Sequence, residues 1–181
     1  MLLRRNGTPS FELDRLSAKI ATRVRNLPEV VGAKTVSAYV HKGSEVRTMQ
    51  IITALLAEGK VVIIPVTDKV NRRLIFSDLK DPERELEPST FGILEPKQEF
   101  IRPVPLEQAE VVLVPGVAWD TRGYRVGYGG GFYDRTINAL RAHPLKIGLS
   151  YEFQIINGIR PTAYDRPVDR IVTESRIIVA K

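Results

Sequence analysis

The sequence predicts a single α/β domain with a mostly parallel sheet between two helical layers. Short apolar runs alternate with segments of helical periodicity along the 181 residues. Two of the runs, residues 61–64 and 111–114, are apolar throughout, which is typical of strands covered by helices on both faces. No internal repeat or change of composition divides the chain. These observations together indicate a three-layer, Rossmann-like architecture spanning residues 1–181.

Helices are predicted where apolar residues recur at helical spacing. Residues 11–27 form the first, and residues 45–58 form the second, with Ser44 as its N-cap and Gly59 closing it. Residues 1–12 are predicted to be a poorly ordered N-terminal extension. The remaining predicted helices cover residues 132–143 and 152–156.

Strands are predicted where short apolar or alternating runs stand between turn residues. Five prolines and mixed charge in residues 81–105 predict a long, partly ordered loop that can wrap around a site. The predicted strands cover residues 35–40, 61–64, 74–78, 111–114, 145–150, 171–173 and 176–179.

The composition excludes several classes of protein. Without cysteine, the chain has neither disulfides nor thiolate metal sites. No apolar run reaches 18 residues, so we expect no membrane span and a cytoplasmic protein, monomeric or dimeric. The 27 basic and 21 acidic residues leave a net charge of +6, which attracts anions. Nucleic acid is an unlikely partner, because the basic residues are scattered and show no RNA-binding signature.

A glycine-rich segment, residues 122–135, carries the strongest functional signal. It holds five of the 13 glycines and stands between a buried strand and a predicted helix. Backbone N–H groups converging at such a turn, with the helix dipole, favour a bound phosphate. Arg125 and Arg135 add positive charge. The alternative is a tight connection without a ligand. Aromatic residues that can stack on a flat ligand here are Tyr128, Phe132 and Tyr133.

Aspartates in two parts of the sequence are candidate metal ligands. Asp134 lies in the first turn of the helix after the glycines. Its negative charge can interact favourably with the helix dipole there, or it can bind Mg²⁺ together with substrate phosphates. Asp165 and Asp169 are candidates for a second Mg²⁺ ligand, or for ion pairs with Arg166 and Arg170.

Glu45 follows the first predicted strand, at the ligand-binding edge of this fold class. Its carboxylate can accept hydrogen bonds from two N–H donors of an aminopyrimidinone ring at once. The alternative is a charge at a helix start, and the residues alone leave both possibilities open.

The sequence also resembles the 5-formyltetrahydrofolate cyclo-ligase (5,10-methenyltetrahydrofolate synthetase) family. Residues 114–120, Gly123 and residues 125–134 are similar to its long, gapless signature. Residues 91–96 resemble its loop before that signature, and residues 165–174 resemble its C-terminal motif. The resemblance extends in order over about residues 15–180, which a chance match of a short motif would not do.

The resemblance implies that 5-formyltetrahydrofolate and ATP give 5,10-methenyltetrahydrofolate, ADP and phosphate, with Mg²⁺ as cofactor. The formyl oxygen attacks the γ-phosphate, N10 attacks the activated carbon, and phosphate leaves. Arg125 and Tyr133 are then the implied catalytic residues, and Asp134 and Asp165 the implied metal ligands. The implied ATP contacts are Arg125, Val126, Gly127, Tyr128, Gly129, Gly130, Gly131, Phe132 and Tyr133. The implied folate contacts are Val40, Glu45, Trp119, Tyr128 and Phe132.

The chain departs from the family pattern at its start, where the family carries a basic helix that grips ATP. The matching helix is predicted to be missing or shortened here, with Arg4, Arg5 or Arg15 as substitutes. This departure motivates the alternative of a non-catalytic folate- or nucleotide-binding relative. Fold analogy also permits a sugar-phosphate isomerase or a CoA-transferase-like enzyme, although the glycine-rich segment lacks a catalytic histidine for either.

Overall fold

The computed structural model describes residues 1–68, 71, 73–89, 92–139 and 143–180. Over these residues the strands form sheets of seven, three and two strands. In chain order the strands are β1 Thr35–Ser37, β2 Val61–Asp68, β3 Arg73–Leu79, β4 Leu86–Pro88, β5 Leu94–Pro96, β6 Val111–Val114, β7 Ala118–Asp120, β8 Arg125–Val126, β9 Leu145–Leu149, β10 Ile155–Ile156, β11 Arg170–Val172 and β12 Ile177–Val179.

The main sheet has the order β12-β11-β9-β6-β1-β2-β3. Its five central strands, from β11 to β2, are parallel, whereas the edge strands β12 and β3 are antiparallel to their neighbours. The parallel strands therefore end at one common edge, where ligands bind in such sheets. The small sheet has the order β10-β7-β8, and β4 pairs with β5.

Helices cover both faces of the main sheet. They are α1 Leu2–Gly7, α2 Ser10–Arg25, α3 Pro28–Gly32, α4 Met49–Ala57, α5 Pro82–Glu85 and α6 Phe132–Ala139. On one face, Ile20 of α2 and Ile52 of α4 join Leu113 of β6 in a buried cluster. On the other, Ile137 of α6 joins Val112, the neighbour of Leu113 in the same strand. Because side chains alternate along a strand, β6 serves both cores. The predicted three-layer, mostly parallel architecture is thus confirmed.

The N-terminal prediction needs correction. Instead of a poorly ordered extension, residues 2–7 form α1, and Ser10 begins α2. The reason lies outside the segment. Arg5 is only 2% exposed and hydrogen-bonds to residues far along the chain, contacts that a local sequence pattern does not reveal.

The second helix begins at Met49, four residues later than predicted. Ser44 is not its N-cap, because its hydroxyl donates to Asn6 at 2.5 Å and accepts from Arg5 at 3.0 Å. The Glu45 carboxylate turns back to the Lys42 N–H at 2.8 Å, which holds this segment outside the helix. Gly59 does close the helix region, with a φ of +76°.

Several other boundaries differ. The predicted loop over residues 81–105 contains α5, the β4–β5 pair and a 3₁₀ turn, Gln98–Phe100. The helix predicted over residues 132–143 is described as far as Ala139. Residues 140–142 lie outside the described ranges, and His143 is not helical.

The strand predicted over residues 35–40 ends at Ser37. The helix predicted over residues 152–156 is a 3₁₀ turn followed by β10. No strand is predicted at β7 or β8, and β8 lies within residues 122–135, which the sequence predicts as a glycine-rich turn.

Trp119 joins the small sheet to the main one. Its side chain is fully buried, and its ring lies where side chains at Gly116 and Gly148 would otherwise be. A Cβ atom at Gly116 would come within 2.5 Å of the indole, and one at Gly148 within 2.6 Å. Glycine at both positions therefore permits this packing.

No helix in the described ranges is long and apolar enough to cross a membrane.

Gly148→Ala is expected to lower the free energy of unfolding by about 1–3 kcal/mol, because the new methyl group overlaps the Trp119 ring. Urea unfolding followed by circular dichroism measures the change. Gly158→Ala is the matched control, because a Cβ there meets no atom within 4 Å, and its effect should stay below about 0.5 kcal/mol. Equal stability of the two variants would contradict the proposed anchoring role of Trp119.

Candidate active site

The glycine-rich turn, residues 127–131, lies between β8 and α6. Gly129 and Gly131 have φ values of +89° and +62°, which residues with side chains rarely adopt. No backbone N–H of residues 128–131 donates a hydrogen bond to another residue within the described ranges. These N–H groups, at the N-terminus of an eight-residue helix, can therefore donate hydrogen bonds to a bound anion.

Arg125 of β8 places a buried positive charge beside this turn. Its side chain is 4% exposed, and Nη2 donates to Asp134 Oδ1 at 2.7 Å. Nη1 is buried without a hydrogen-bond partner in the part of the chain that the structure describes. Burial lowers the pKa of Arg125, which Asp134, Tyr133 and Asp165 partly offset. A buried donor without a partner is costly, so this geometry suits an incoming anion.

The predicted metal ligands Asp134 and Asp165 both lie close enough to Arg125 to interact with its charge. The Asp165 carboxylate accepts from the Thr162 N–H at 2.6 Å and the Thr162 hydroxyl at 2.9 Å. These hydrogen bonds are the main reason that the pKa of Asp165 is lowered. It is thus ionised at neutral pH.

The other metal-ligand candidate lies elsewhere. The Asp169 carboxylate accepts from the Lys146 N–H at 2.7 Å and pairs with the Lys146 ammonium at 3.2 Å. No group of three or more histidines and carboxylates with metal-binding geometry occurs among the described residues. Two carboxylates, Asp134 and Asp165, remain for a Mg²⁺ ion that takes its other ligands from phosphate and water.

Glu45 is a buried carboxylate, 6% exposed, beyond the end of β1. Burial raises its pKa, and the hydrogen bonds from the Lys42 N–H and the Tyr128 hydroxyl lower it. The nearby phenols of Tyr39 and Tyr133 have raised pKa values, chiefly because both groups are desolvated. Both phenols therefore keep their protons at neutral pH, and the Tyr39 hydroxyl donates to the Val46 carbonyl at 3.3 Å.

Arg5 of α1 is the functional candidate whose placement the sequence could not establish. Its guanidinium donates to the Ser44 hydroxyl at 3.0 Å and to the Gly116 carbonyl at 3.2 Å, and it also donates to the Tyr128 hydroxyl. One buried side chain thus joins the N-terminal helix to three separate segments around the site. The sequence named Arg5 only as one candidate substitute for a missing or shortened basic helix, without a position.

Buried polar residues from a second segment support the same region. The Tyr151 hydroxyl donates to the Glu45 carbonyl at 3.1 Å, and Ser17 of α2 lies 2.9 Å from the same hydroxyl. Gln154 donates to the carbonyls of Gly116 and Val117 at 3.2 and 2.8 Å. The backbone around Glu45 and the end of β6 is therefore held by side chains that the sequence analysis did not single out.

The other predicted folate contacts differ in placement. Val40 is buried directly after β1, near Glu45 in sequence. Trp119 is fully buried and fills the core between the sheets, so its indole exposes no surface to a ligand in this structure, and its role as a folate contact stays a prediction. Phe132 is half-buried, and the Arg135 guanidinium lies 5.1 Å from its ring centroid.

An open cleft of about 1140 Å³ lies beside the glycine-rich turn. Gly129, Gly130 and Phe132 form one wall, and residues 73–76 of β3 and 103–107 form the other. A ligand bound at the turn therefore has room to extend toward the β3 edge.

Comparison with known proteins gives consistent results. Residues 1–174 match the sequence profile of the 5-formyltetrahydrofolate cyclo-ligase family. The 5-formyltetrahydrofolate cyclo-ligase of Escherichia coli K12 is 32% identical over 176 residues, 96% of each chain. That of Haemophilus influenzae is 31% identical over 165 residues, 91% of this chain and 88% of the relative.

Solved structures agree with these sequence matches. The NMR structure of Aquifex aeolicus 5,10-methenyltetrahydrofolate synthetase superposes with a TM-score of 0.86 at 33% identity, covering 99% of this chain and 89% of that one. A Mycoplasma pneumoniae 5,10-methenyltetrahydrofolate synthetase shares the fold, with a TM-score of 0.76 at 23% identity over 96% of this chain and 93% of that one. With its fold, its glycine-rich turn and these matches over nearly its whole length, the chain belongs to the 5-formyltetrahydrofolate cyclo-ligase family.

Proposed function

We propose that this protein uses ATP to close 5-formyltetrahydrofolate to 5,10-methenyltetrahydrofolate, releasing ADP and phosphate. The observation that carries the proposal is the buried Arg125 beside the glycine-rich turn, with Nη1 lacking a partner among the described residues. A buried cation next to unused backbone N–H donors is an anion site, and the family membership indicates that the anion is the triphosphate of ATP.

The phosphate half of the site consists of Arg125 and the turn. Nη1 of Arg125 would donate to a phosphate oxygen, while Nη2 keeps its ion pair with Asp134. The N–H groups of residues 128–131 would donate to the same phosphates. Because these donors stand in place before the reaction, they stabilise charge that develops on the transferred phosphoryl group. The protonated Tyr133 phenol is a further donor in this half.

The residues present fit a magnesium ion. Asp134 and Asp165 would hold it, because both are carboxylates near Arg125 and Mg²⁺ prefers one or two carboxylates with phosphate oxygens. When bound, the ion would neutralise phosphate charge.

The folate half centres on Glu45. Its buried carboxylate would accept two N–H groups of the pterin ring, a pairing that water would weaken if the group were exposed. Val40 would pack beside the ring. The formyl oxygen then attacks the γ-phosphorus and ADP leaves. N10 attacks the formyl carbon, its proton is lost, and the C–O bond breaks to release phosphate.

This chemistry needs alignment of two substrates more than a protein nucleophile. Such a requirement agrees with a site made of hydrogen-bond donors and buried charges.

The non-catalytic alternative rested on the missing N-terminal basic helix. Because α1 exists and buries Arg5 against the glycine-rich turn, that reason no longer holds. The cytoplasmic location and the monomeric or dimeric state stay predictions.

The purified protein is expected to form the methenyl product, followed by its near-ultraviolet absorbance, from 5-formyltetrahydrofolate only when Mg·ATP is present. Arg125→Gln should lower kcat by about 100-fold or more, because the buried donor to the phosphoryl group is lost. A protein that binds folate yet forms no product with saturating Mg·ATP would be a non-catalytic relative.

Asp165→Asn is expected to raise the Mg²⁺ concentration for half-maximal rate by about tenfold. Asp134→Asn should raise this Mg²⁺ concentration as well. It should also lower the free energy of unfolding by about 1–3 kcal/mol, because the buried Arg125 loses its counter-charge. Magnesium titrations of the initial rate, with urea unfolding, separate the two effects.

Asp169→Asn is the matched control, since Asp169 pairs with Lys146. An identical magnesium requirement in the Asp165 and Asp169 variants would remove Asp165 from the metal site.

A further inference from the structure

Arg5 of α1 uses every nitrogen of its guanidinium within the protein. Nε donates to the Ser44 hydroxyl at 3.0 Å, Nη1 to the Gly116 carbonyl at 3.2 Å, and Nη2 to the Tyr128 hydroxyl. The residue is only 2% exposed, so almost none of its surface faces solvent or a ligand. Its positive charge is therefore directed at protein acceptors.

The three acceptors lie in both halves of the proposed site. Ser44 directly precedes Glu45, which carries the carboxylate of the folate half. Tyr128 lies inside the glycine-rich turn, which forms the phosphate half. Gly116 lies just after β6, one of the parallel strands that end at the ligand-binding edge. One guanidinium thus connects both halves to the end of a core strand.

We propose that Arg5 is a positioning residue that holds the folate half and the phosphate half in their relative positions, and is not itself a phosphate ligand. This inference rests on the proposed function, because it takes Glu45 and residues 127–131 as the two halves of that site. It adds that the binding of each substrate depends on an arginine that contacts neither.

The glycine-rich turn depends on a contact from outside itself. Four of its five residues, 127–131, are glycine, the residue with the greatest backbone freedom. Tyr128 is the exception, and both parts of its side chain contact Arg5: the hydroxyl accepts a hydrogen bond, and the ring centroid lies 5.7 Å from the guanidinium carbon. Arg5 therefore restricts the positions of the N–H groups that would face phosphate.

Ser44 connects the same arginine to the folate half. Its hydroxyl accepts from Arg5 and donates to Asn6 Oδ1 at 2.5 Å, so two neighbouring residues of α1 hold it. The next residue, Glu45, is folded back on Lys42: its N–H donates to the Lys42 carbonyl at 3.1 Å, and its carboxylate accepts from the Lys42 N–H at 2.8 Å. Because this short segment closes on itself, a shift of Ser44 would move the Glu45 carboxylate as well.

Arginine suits this position for a geometric reason. Its planar guanidinium presents donors in several fixed directions, whereas a lysine ammonium is a compact charge on a flexible stem. A lysine at position 5 would keep the charge but could not reach three acceptors in separate segments. A side chain that only supplied charge to phosphate would be replaced well by lysine, which binds phosphate as a point charge.

The test is calorimetric binding of each ligand alone, 5-formyltetrahydrofolate without nucleotide and Mg·ATP without folate, so that no turnover occurs. Arg5→Gln is expected to raise both Kd values by about tenfold, because charge-assisted hydrogen bonds to both halves are lost. Arg5→Lys should raise them nearly as much. Arg25→Gln is the matched control, because Arg25 forms an exposed ion pair with Glu58 and the same charge is removed.

Two further variants separate the contacts while keeping Arg5. Ser44→Ala should raise the Kd of 5-formyltetrahydrofolate about threefold or more and leave that of Mg·ATP nearly unchanged. Tyr128→Phe should raise the Kd of Mg·ATP by a similar factor. In an Arg5→Gln background both effects should largely disappear, because the shared partner is absent. If Arg5→Gln does not fold, the two single variants test the inference by themselves.

An effect of Arg5→Gln on Mg·ATP alone, restored by Arg5→Lys, would show a direct phosphate ligand and overturn the inference. Unchanged affinity for both ligands in Arg5→Gln would overturn it too. A wild-type protein that binds neither ligand contradicts the proposed function, whereas wild-type binding of both that Arg5→Gln leaves intact contradicts the positioning role alone.

Discussion

The packing of Trp119 against two glycines determines how the site is built. Gly116 follows β6 and Gly148 lies in β9, and the indole fits against both only because neither has a side chain. This contact anchors β7, and β8 pairs with β7. Since β8 leads directly into the glycine-rich turn, the position of the turn over the sheet edge follows from a close-packed contact in the core.

Two buried charges of opposite sign divide the site. Arg125 lies under the turn and Glu45 beyond β1, and desolvation shifts the pKa of each toward its neutral form. Partners oppose these shifts: Asp134 for the first, and Lys42 with Tyr128 for the second. The arrangement matches a reaction with one highly anionic substrate and one substrate rich in N–H donors, because buried charges discriminate strongly between such groups.

The N-terminal helix changes the functional conclusion. A short basic helix has little stability of its own, because helices of this length are marginal in isolation. Here it forms because Arg5 is buried and its guanidinium meets three acceptors from distant parts of the chain. The chain therefore retains a cation over the glycine-rich turn, and the main argument for a non-catalytic relative disappears.

The sequence by itself determined the layer architecture, because apolar periodicity reports which faces of β2, β6 and α2 are buried. It also identified the glycine-rich segment and its acidic neighbour, since these lie together along the chain. Only the tertiary structure decided that Trp119 is core, that Asp165 lies close enough to Arg125 to interact with its charge, and that Arg5 hydrogen-bonds to Tyr128. Those contacts join residues far apart in sequence, and their partners are chosen by packing and desolvation, which local patterns do not encode.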